Sequence, residues 1–150
     1  MRILPAIMAA ALTTQYIPQA AAQLELSEAW VRALPPVQRN TAAYLHLSNT
    51  GESPVTVTGG NSPLAARVEL HESTAADGMM RMRQLEVLTL APGESLQLAP
   101  GGVHLMLLDL ERMPAAGERV TLCLELAGGE EACTEAAVMR QAGGDHSHHH

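Results

Sequence analysis

The sequence has no phenylalanine and no lysine, and only two cysteines among its 150 residues. Each shortage removes a class of function. Trp30, Tyr16 and Tyr44 are the whole aromatic complement, too few to form a platform on which bases stack. Positive charge is scarce as well. Nine arginines stand against sixteen Asp and Glu residues, for a formal net charge of −7. That balance argues against a nucleic-acid backbone or an anionic membrane as the main partner. No stretch carries a clear helical period and no sequence repeat is present, so the length suits one domain.

The two ends differ from the body. Arg2 and the free amine precede a short apolar stretch, Ile3 to Leu12, and Ala20-Ala21-Ala22 offers small residues ahead of Gln23. This pattern reads as a signal peptide over 1–22, removed on export. The apolar stretch is too short to span a bilayer, so no stable membrane insertion is expected after removal. At the other end Gly143-Gly144 forms a spacer before Asp145-His146-Ser147-His148-His149-His150. A tract of this kind buries no apolar area and is expected to be a flexible tail over 143–150. It reads either as a fragment of a purification tag or as a native second metal site of His146, His148, His149 and His150, with imidazoles suited to copper(II). Ser147 interrupts the run, which favours the native reading.

Between the ends, over 23–142, the chain reads as short strands separated by turn signals. Candidates are Leu24 to Leu34, Ala42 to Ser48, Pro54 to Thr58, Arg67 to Glu72, Met79 to Arg83, Leu85 to Leu90, Glu94 to Leu98, Val103 to Leu108, Arg119 to Leu126 and Ala132 to Met139. Pro35-Pro36, Asn49-Thr50-Gly51, Gly59-Gly60-Asn61, Asp77-Gly78, Pro92-Gly93 and Pro100-Gly101-Gly102 punctuate them. Many short strands with regular Gly and Pro turns indicate an all-β sandwich or barrel. Glu111 to Glu118 holds a turn of helix at most. Cys123 and Cys133 flank Ala127-Gly128-Gly129; a three-residue hairpin loop there sets them directly opposite each other. An exported chain with two cysteines favours a disulfide over a pair of metal thiolates.

Side chains alternate between the faces of a strand. In Val103-His104-Leu105-Met106-Leu107, His104 and Met106 therefore share one face while Val103, Leu105 and Leu107 point to the core. In Val68-Glu69-Leu70-His71, His71 and Glu69 lie opposite the apolar pair. In Met79-Met80-Arg81-Met82-Arg83, Met80 and Met82 share a face. Thioethers and imidazoles together suit copper(I): thioethers are soft, bind Mg or Ca poorly and add little for zinc. They also escape the disulfide chemistry that consumes thiolates outside the cytosol. Such a site couples to pH only through its histidines. Each residue has a plainer reading too, methionine as core filler and histidine as a surface or hydrogen-bonded group. His46 reads as solvated, Met79 and Met80 as spare ligands or space-filling residues with Met79 the latter, and Met113 and Met139 as packing residues. Glu69, Glu72 and Asp109 are carboxylates that could set the charge around the site.

The order His71, ten residues, Met82, twenty-one residues, His104, one residue, Met106 resembles the motif of the periplasmic copper chaperones of the PCuAC family in all four positions and all three spacings. Glu28-Ala29-Trp30-Val31-Arg32 with Pro35-Pro36, Ala42-Ala43-Tyr44-Leu45 running to Asn49-Thr50-Gly51, and Pro100-Gly101-Gly102-Val103-His104-Leu105-Met106 extend the resemblance over most of residues 24 to 139. It implies a cupredoxin-like Greek-key β-sandwich and one exposed copper(I) held by His71, Met82, His104 and Met106. It further implies a periplasmic carrier, not an enzyme, that delivers copper toward the copper-bearing subunit of cytochrome c oxidase, with a Sco-type protein as possible partner. Two other functions compete. A blue-copper electron carrier needs a Cys thiolate with two His and a weak axial Met, and no His follows Cys123 or Cys133 closely. A metal-free interaction sandwich would bind no copper. A hydrolase is disfavoured, because His71 and His104 have no identified Ser or Cys partner.

Overall fold

The computed structural model describes residues 23–141. The expected signal peptide over 1–22 and the His-rich tail over 143–150 lie outside the described residues. Ten strands follow one another: β1 (Leu24–Arg32), β2 (Thr41–Asn49), β3 (Val55–Asn61), β4 (Ala65–Ala76), β5 (Met79–Gln84), β6 (Leu88–Leu90), β7 (Ser95–Gln97), β8 (Val103–Leu110), β9 (Arg119–Leu126) and β10 (Glu131–Met139). They pair in the order β5-β4-β8-β2-β1-β10-β9-β3-β6, with β7 on β2 and a further pairing of β3 with β4. That last pairing closes seven strands into a ring and leaves β5 and β6 hanging from its seam. Closure satisfies strand edges that would otherwise invite pairing with other chains. β1 and β10 run parallel, and the other paired strands run antiparallel. The connections from β2 to β3 and from β8 to β9 pass to strands that are not neighbours, which is the Greek-key crossing. The expected all-β sandwich is thus realised as a closed ring.

The interior is built mostly of leucine and valine. Val31, Leu45, Leu47, Leu70, Leu105, Leu107, Leu122 and Leu124 are all at or within 1% of complete burial. Each such side chain contributes roughly 1.5–3 kcal/mol relative to leaving it in water. The period-2 pattern that put Leu105 and Leu107 inward also leaves His104 and Met106 on the outer face of β8.

Three local features depart from the simple pattern. β1 carries a bulge: its register with β2 shifts between Ser27 and Trp30, and Glu28 sits at φ 53°. An extra residue reverses the alternation. Leu24 and Leu26 face the core before the bulge and Val31 does so after it, so Trp30 and Arg32 turn to the outer face. β3 does not stop at Gly59-Gly60 but runs on to Asn61. Gly60 lies where β3 passes between β9 and β4, and a Cβ there would sit 2.7 Å from the Cys123 carbonyl oxygen. Glycine is what permits the seam to close. Residues 111 to 118 form turns rather than a turn of helix, with Met113 half-buried against the core.

Candidate metal centre

A row of rings crosses the outer face of the sheet. Trp30 on β1 is opposite Tyr44 on β2, their ring centroids 4.6 Å apart. The Tyr44 ring lies 6.2 Å from that of His104 on β8. His104 is directly opposite His71 on β4, ring to ring 5.9 Å. One step along the strands, Met106 is opposite Glu69. One step the other way, Met82 on β5 is opposite Ser73. The barrel register therefore brings β4, β5 and β8 together so that His71, Met82, His104 and Met106 border one patch.

Each histidine has one ring nitrogen engaged. His104 Nδ1 lies 3.0 Å from the Gly102 carbonyl oxygen. A carbonyl only accepts, so Nδ1 carries the proton and donates, and Nε2 keeps a free lone pair. His71 Nε2 lies 2.9 Å from Glu69 Oε2; with Nε2–H donating to the carboxylate, Nδ1 keeps the lone pair. That Nδ1 is buried with no hydrogen-bond partner. A buried polar atom without a partner is costly, and a soft cation on it would remove the cost. The spacing fits as well. With metal–imidazole bonds of about 2 Å, two rings on one ion have centroids about 6 Å apart.

The patch opens into a cleft of about 260 Å³ lined by Arg32, Leu34, Asn40, Thr41, Ala42, Tyr44, Ser73, Met82, Pro100, Gly101, His104 and Met106. Larger hollows of about 330, 340 and 480 Å³ lie elsewhere among the described residues, and none of the three is lined by a histidine. The four side chains differ in access: His104 is 3% exposed and Met82 53%, with His71 and Met106 between them. The patch is thus half-buried at its histidine end, more enclosed than the exposed ion expected.

The cleft's second wall is Arg32. Its guanidinium carbon lies 5.3 Å from the Tyr44 ring centroid and 5.8 Å from that of Trp30, a cation–π arrangement. Its Nε is buried without a partner. Burial pushes the Tyr44 phenol above its ordinary pKa, and Arg32 pulls it part-way back, so the phenol is neutral at ordinary pH. Strand alternation alone could have linked Arg32 to Trp30, two residues away, but the bulge hides that both face the site.

Of the remaining candidates, Glu69 touches this patch, through His71. Glu69 also meets Arg67 at 3.2 Å, which in turn meets Asp109 at 3.3 Å, and Glu72 pairs with Arg83 at 2.7 Å. Of these carboxylates, Glu69 is the one hydrogen-bonded to His71. His46 is half-buried beside Ser27. Met79, expected to fill space, is 57% exposed instead, because among the described residues β5 pairs only with β4. Met139 is half-buried. Cys123 and Cys133 face each other across the β9–β10 hairpin and their sulfurs are bonded. Glu131 lies close by, but a bonded pair offers no thiolate to a metal. The hairpin loop is the three-residue one expected, with Leu126 N–H donating to the Glu130 carbonyl at 2.9 Å.

Comparison with known proteins gives a consistent picture. The family model described as "Putative lipoprotein LpqE-like" matches residues 24–138. The chain is 29% identical over 126 residues to "Putative lipoprotein Lxx21020" of Leifsonia xyli subsp. xyli, covering 83% of this chain and 75% of that protein. Among solved structures it is similar to copper(I)-bound DR1885 of Deinococcus radiodurans, with 32% identity, a TM-score of 0.64, and coverage of 83% of this chain and 85% of that one. The copper-bound PCuAC domain from PmoF2 superposes with a TM-score of 0.65 at 22% identity, over 77% and 92% of the two chains; at that identity the likeness is one of fold.

Proposed function

The chain belongs to the LpqE-like family, and we propose that it is an exported copper(I) carrier that holds one ion through His71, Met82, His104 and Met106. The observation that carries this reading is the histidine pair. His71 and His104 are directly opposite, each with one nitrogen engaged and the other free to bind, and two thioethers flank them. Support from outside the chain comes from DR1885, which is copper(I)-bound in a solved structure and 32% identical.

The donor set selects the oxidation state. All four donors are neutral and the two thioethers are soft, a set that suits copper(I). Arg32 adds a positive charge beside the cleft, which opposes a divalent ion more than a monovalent one. Glu69 holds the tautomer of His71, the role that carboxylates play behind metal-bound imidazoles. The protein carries its cargo without turnover. Export to the periplasm through a leader over 1–22, and delivery toward the copper-bearing subunit of cytochrome c oxidase with a Sco-type partner, complete the proposal. His146, His148, His149 and His150 form a looser second site, suited to copper(II).

The test is copper(I) titration under reducing conditions, in competition with a chromophoric chelator. One tight equivalent is expected, weakened by Met106→Leu and by His104→Ala. Unchanged affinity in both variants would refute the four-ligand site. Removing residues 143 to 150 should leave that equivalent in place and abolish any extra copper(II) uptake. The blue-copper alternative has no thiolate to use, since both cysteines are joined. Intense blue colour on adding copper(II) would nevertheless revive it.

A further inference from the structure

The β4–β5 hairpin is longer than the barrel needs. Residues Ala65 to Glu72 of β4 pair with β8, and the Ser73 N–H still donates to the Gly102 carbonyl just before β8 at 3.1 Å, but among the described residues Thr74 to Ala76 pair only with β5. The outer half of the hairpin therefore projects past β8 as a two-stranded arm, turned at its tip by Asp77 and Gly78, both at positive φ. A two-stranded hairpin with no third strand to steady it is only marginally stable.

The arm carries an unusual set of side chains. Six large apolar side chains are exposed among the described residues, and three of them are Met79, Met80 and Met82 of β5, at 57, 62 and 53%. Core filling does not explain residues that lie in water. Edge protection does not explain them either, because Arg81 and Arg83 already supply the charge that guards an edge strand.

Register gives the methionines an order. His71 is opposite Gln84, Ser73 opposite Met82, and Ala75 opposite Met80. Alternation therefore puts His71, Met82 and Met80 on one face of the arm, running from the barrel toward the tip. Successive positions on that face are about 7 Å apart along the strand. The cross-strand neighbours of the two thioethers, Ser73 and Ala75, are small and leave them uncovered. Met79 is on the opposite face. Access rises along the file, from His104 at 3% through Met82 to Met80.

We infer that Met80 is a transfer ligand, an outer thioether that takes copper(I) from the four-residue site on its way to an acceptor and is empty when the ion is at rest. The inference rests on the copper reading above. As the arm swings outward, a Cu–S bond to Met80 forms while the Cu–N bonds to His71 and His104 and the Cu–S bond to Met106 break, with Met82 holding the ion throughout. All these ligands are neutral, copper stays monovalent, and no electron moves. The acceptor needs to reach only the exposed end of the file, so the buried histidines need never meet it.

The experiment separates resting affinity from transfer. The full chain, loaded with one equivalent of copper(I), is mixed with bathocuproine disulfonate, a chelator too bulky for the cleft, and the chromophore is followed in time. Met80→Leu keeps the shape and removes the donor. It should slow transfer by roughly tenfold, the loss of about 1.4 kcal/mol from the barrier-crossing state, and leave equilibrium affinity unchanged. Met79→Leu should alter neither. Methyl resonances of the wild-type methionines should show Met80 exchanging with copper while Met79 stays unperturbed. Transfer as fast in Met80→Leu as in Met79→Leu would overturn the inference. So would a loss of affinity equal to that of Met82→Leu, which would make Met80 a resident ligand. Failure of the underlying site would look different: affinity untouched by His104→Ala, which would overturn site and relay together.

Discussion

Glu69→Gln tests how the sheet prepares a histidine for metal. Glu69 and His71 are two residues apart on β4, on one face, and their side chains meet at 2.9 Å. The carboxylate can only accept, so it fixes the proton on His71 Nε2 and leaves the lone pair on the buried, unpartnered Nδ1. A glutamine of the same shape can donate instead. Its amide can then pair with an unprotonated Nε2, the ring proton moves to Nδ1, and the buried nitrogen offered to the metal loses its lone pair. Loss of an outer partner of this kind typically costs 10- to 100-fold in metal affinity, or about 1.4–2.7 kcal/mol. The net charge of the site also rises by one unit, in the direction that disfavours any cation. Glu69 touches Arg67 as well, but that guanidinium is 61% exposed and keeps Asp109, so the fold should hold. Competitive copper(I) titration, with thermal unfolding of the metal-free variant as control, gives the answer. If Glu69→Gln binds as the wild type does while Met106→Leu binds weakly, the tautomer argument is wrong and His71 ligates through the nitrogen that meets Glu69, or not at all.

Three further outcomes follow from the same structure. Arg32→Gln should raise affinity for copper(II) relative to copper(I): the guanidinium lies within about 12 Å of the His104 ring, where one unit of charge is worth on the order of 1 kcal/mol at an effective dielectric near 20–40, so a shift of about fivefold in the ratio of the two constants is expected, and an unchanged reduction potential would refute it. Gly60→Ala should destabilise the barrel by about 1–3 kcal/mol, read by chemical denaturation, because the new methyl meets the Cys123 carbonyl and Val68 at the seam; wild-type stability would show that β3 has room to move. Glu118 is held at about 2, below its ordinary 4.5, chiefly by its hydrogen bond to Arg112 and then by the Ala115 N–H; its contribution is present above pH 4.5 and lost as pH falls through about 2, so the stability gap between wild type and Glu118→Gln should narrow over that window, and a gap independent of pH would contradict the pairing.

The strands were legible because their signal is local. Leu105 and Leu107 alternate with His104 and Met106, and Asp77-Gly78 demands a tight turn between β4 and β5; both follow from neighbouring residues. The β9–β10 hairpin was legible for the same reason, its loop length setting Cys123 against Cys133. The ring closure was not. β3 touches β4 at Gly60 and Val68 only because a missing side chain lets β3 approach, and a glycine in a strand reads from sequence as a stop. The Arg32 wall was hidden by the bulge at Glu28, since strict alternation places Trp30 and Arg32 with Leu24 and Leu26. What spacing alone could not give was the pairing of His71 with His104, which depends on β4 and β8 being neighbours despite the three strands between them in sequence.

That pairing explains why the site is half-buried rather than open. A thioether is a weak ligand in water, and four neutral donors gain most where water is kept from the ion. His104 is held by a strand whose other face is core, and by a backbone carbonyl that fixes its ring, so the buried end is rigid. Met82 stands on β5, which among the described residues pairs only with β4, and is 53% exposed, so the other end is the accessible one. A site closed all round would bind copper and retain it. A site open all round would lose it to any competing donor. In the proposed site, imidazoles on the barrel wall would form a fixed half that selects the ion and a thioether on the arm a less tightly held half that can release it, and both halves come from one register between β4, β5 and β8.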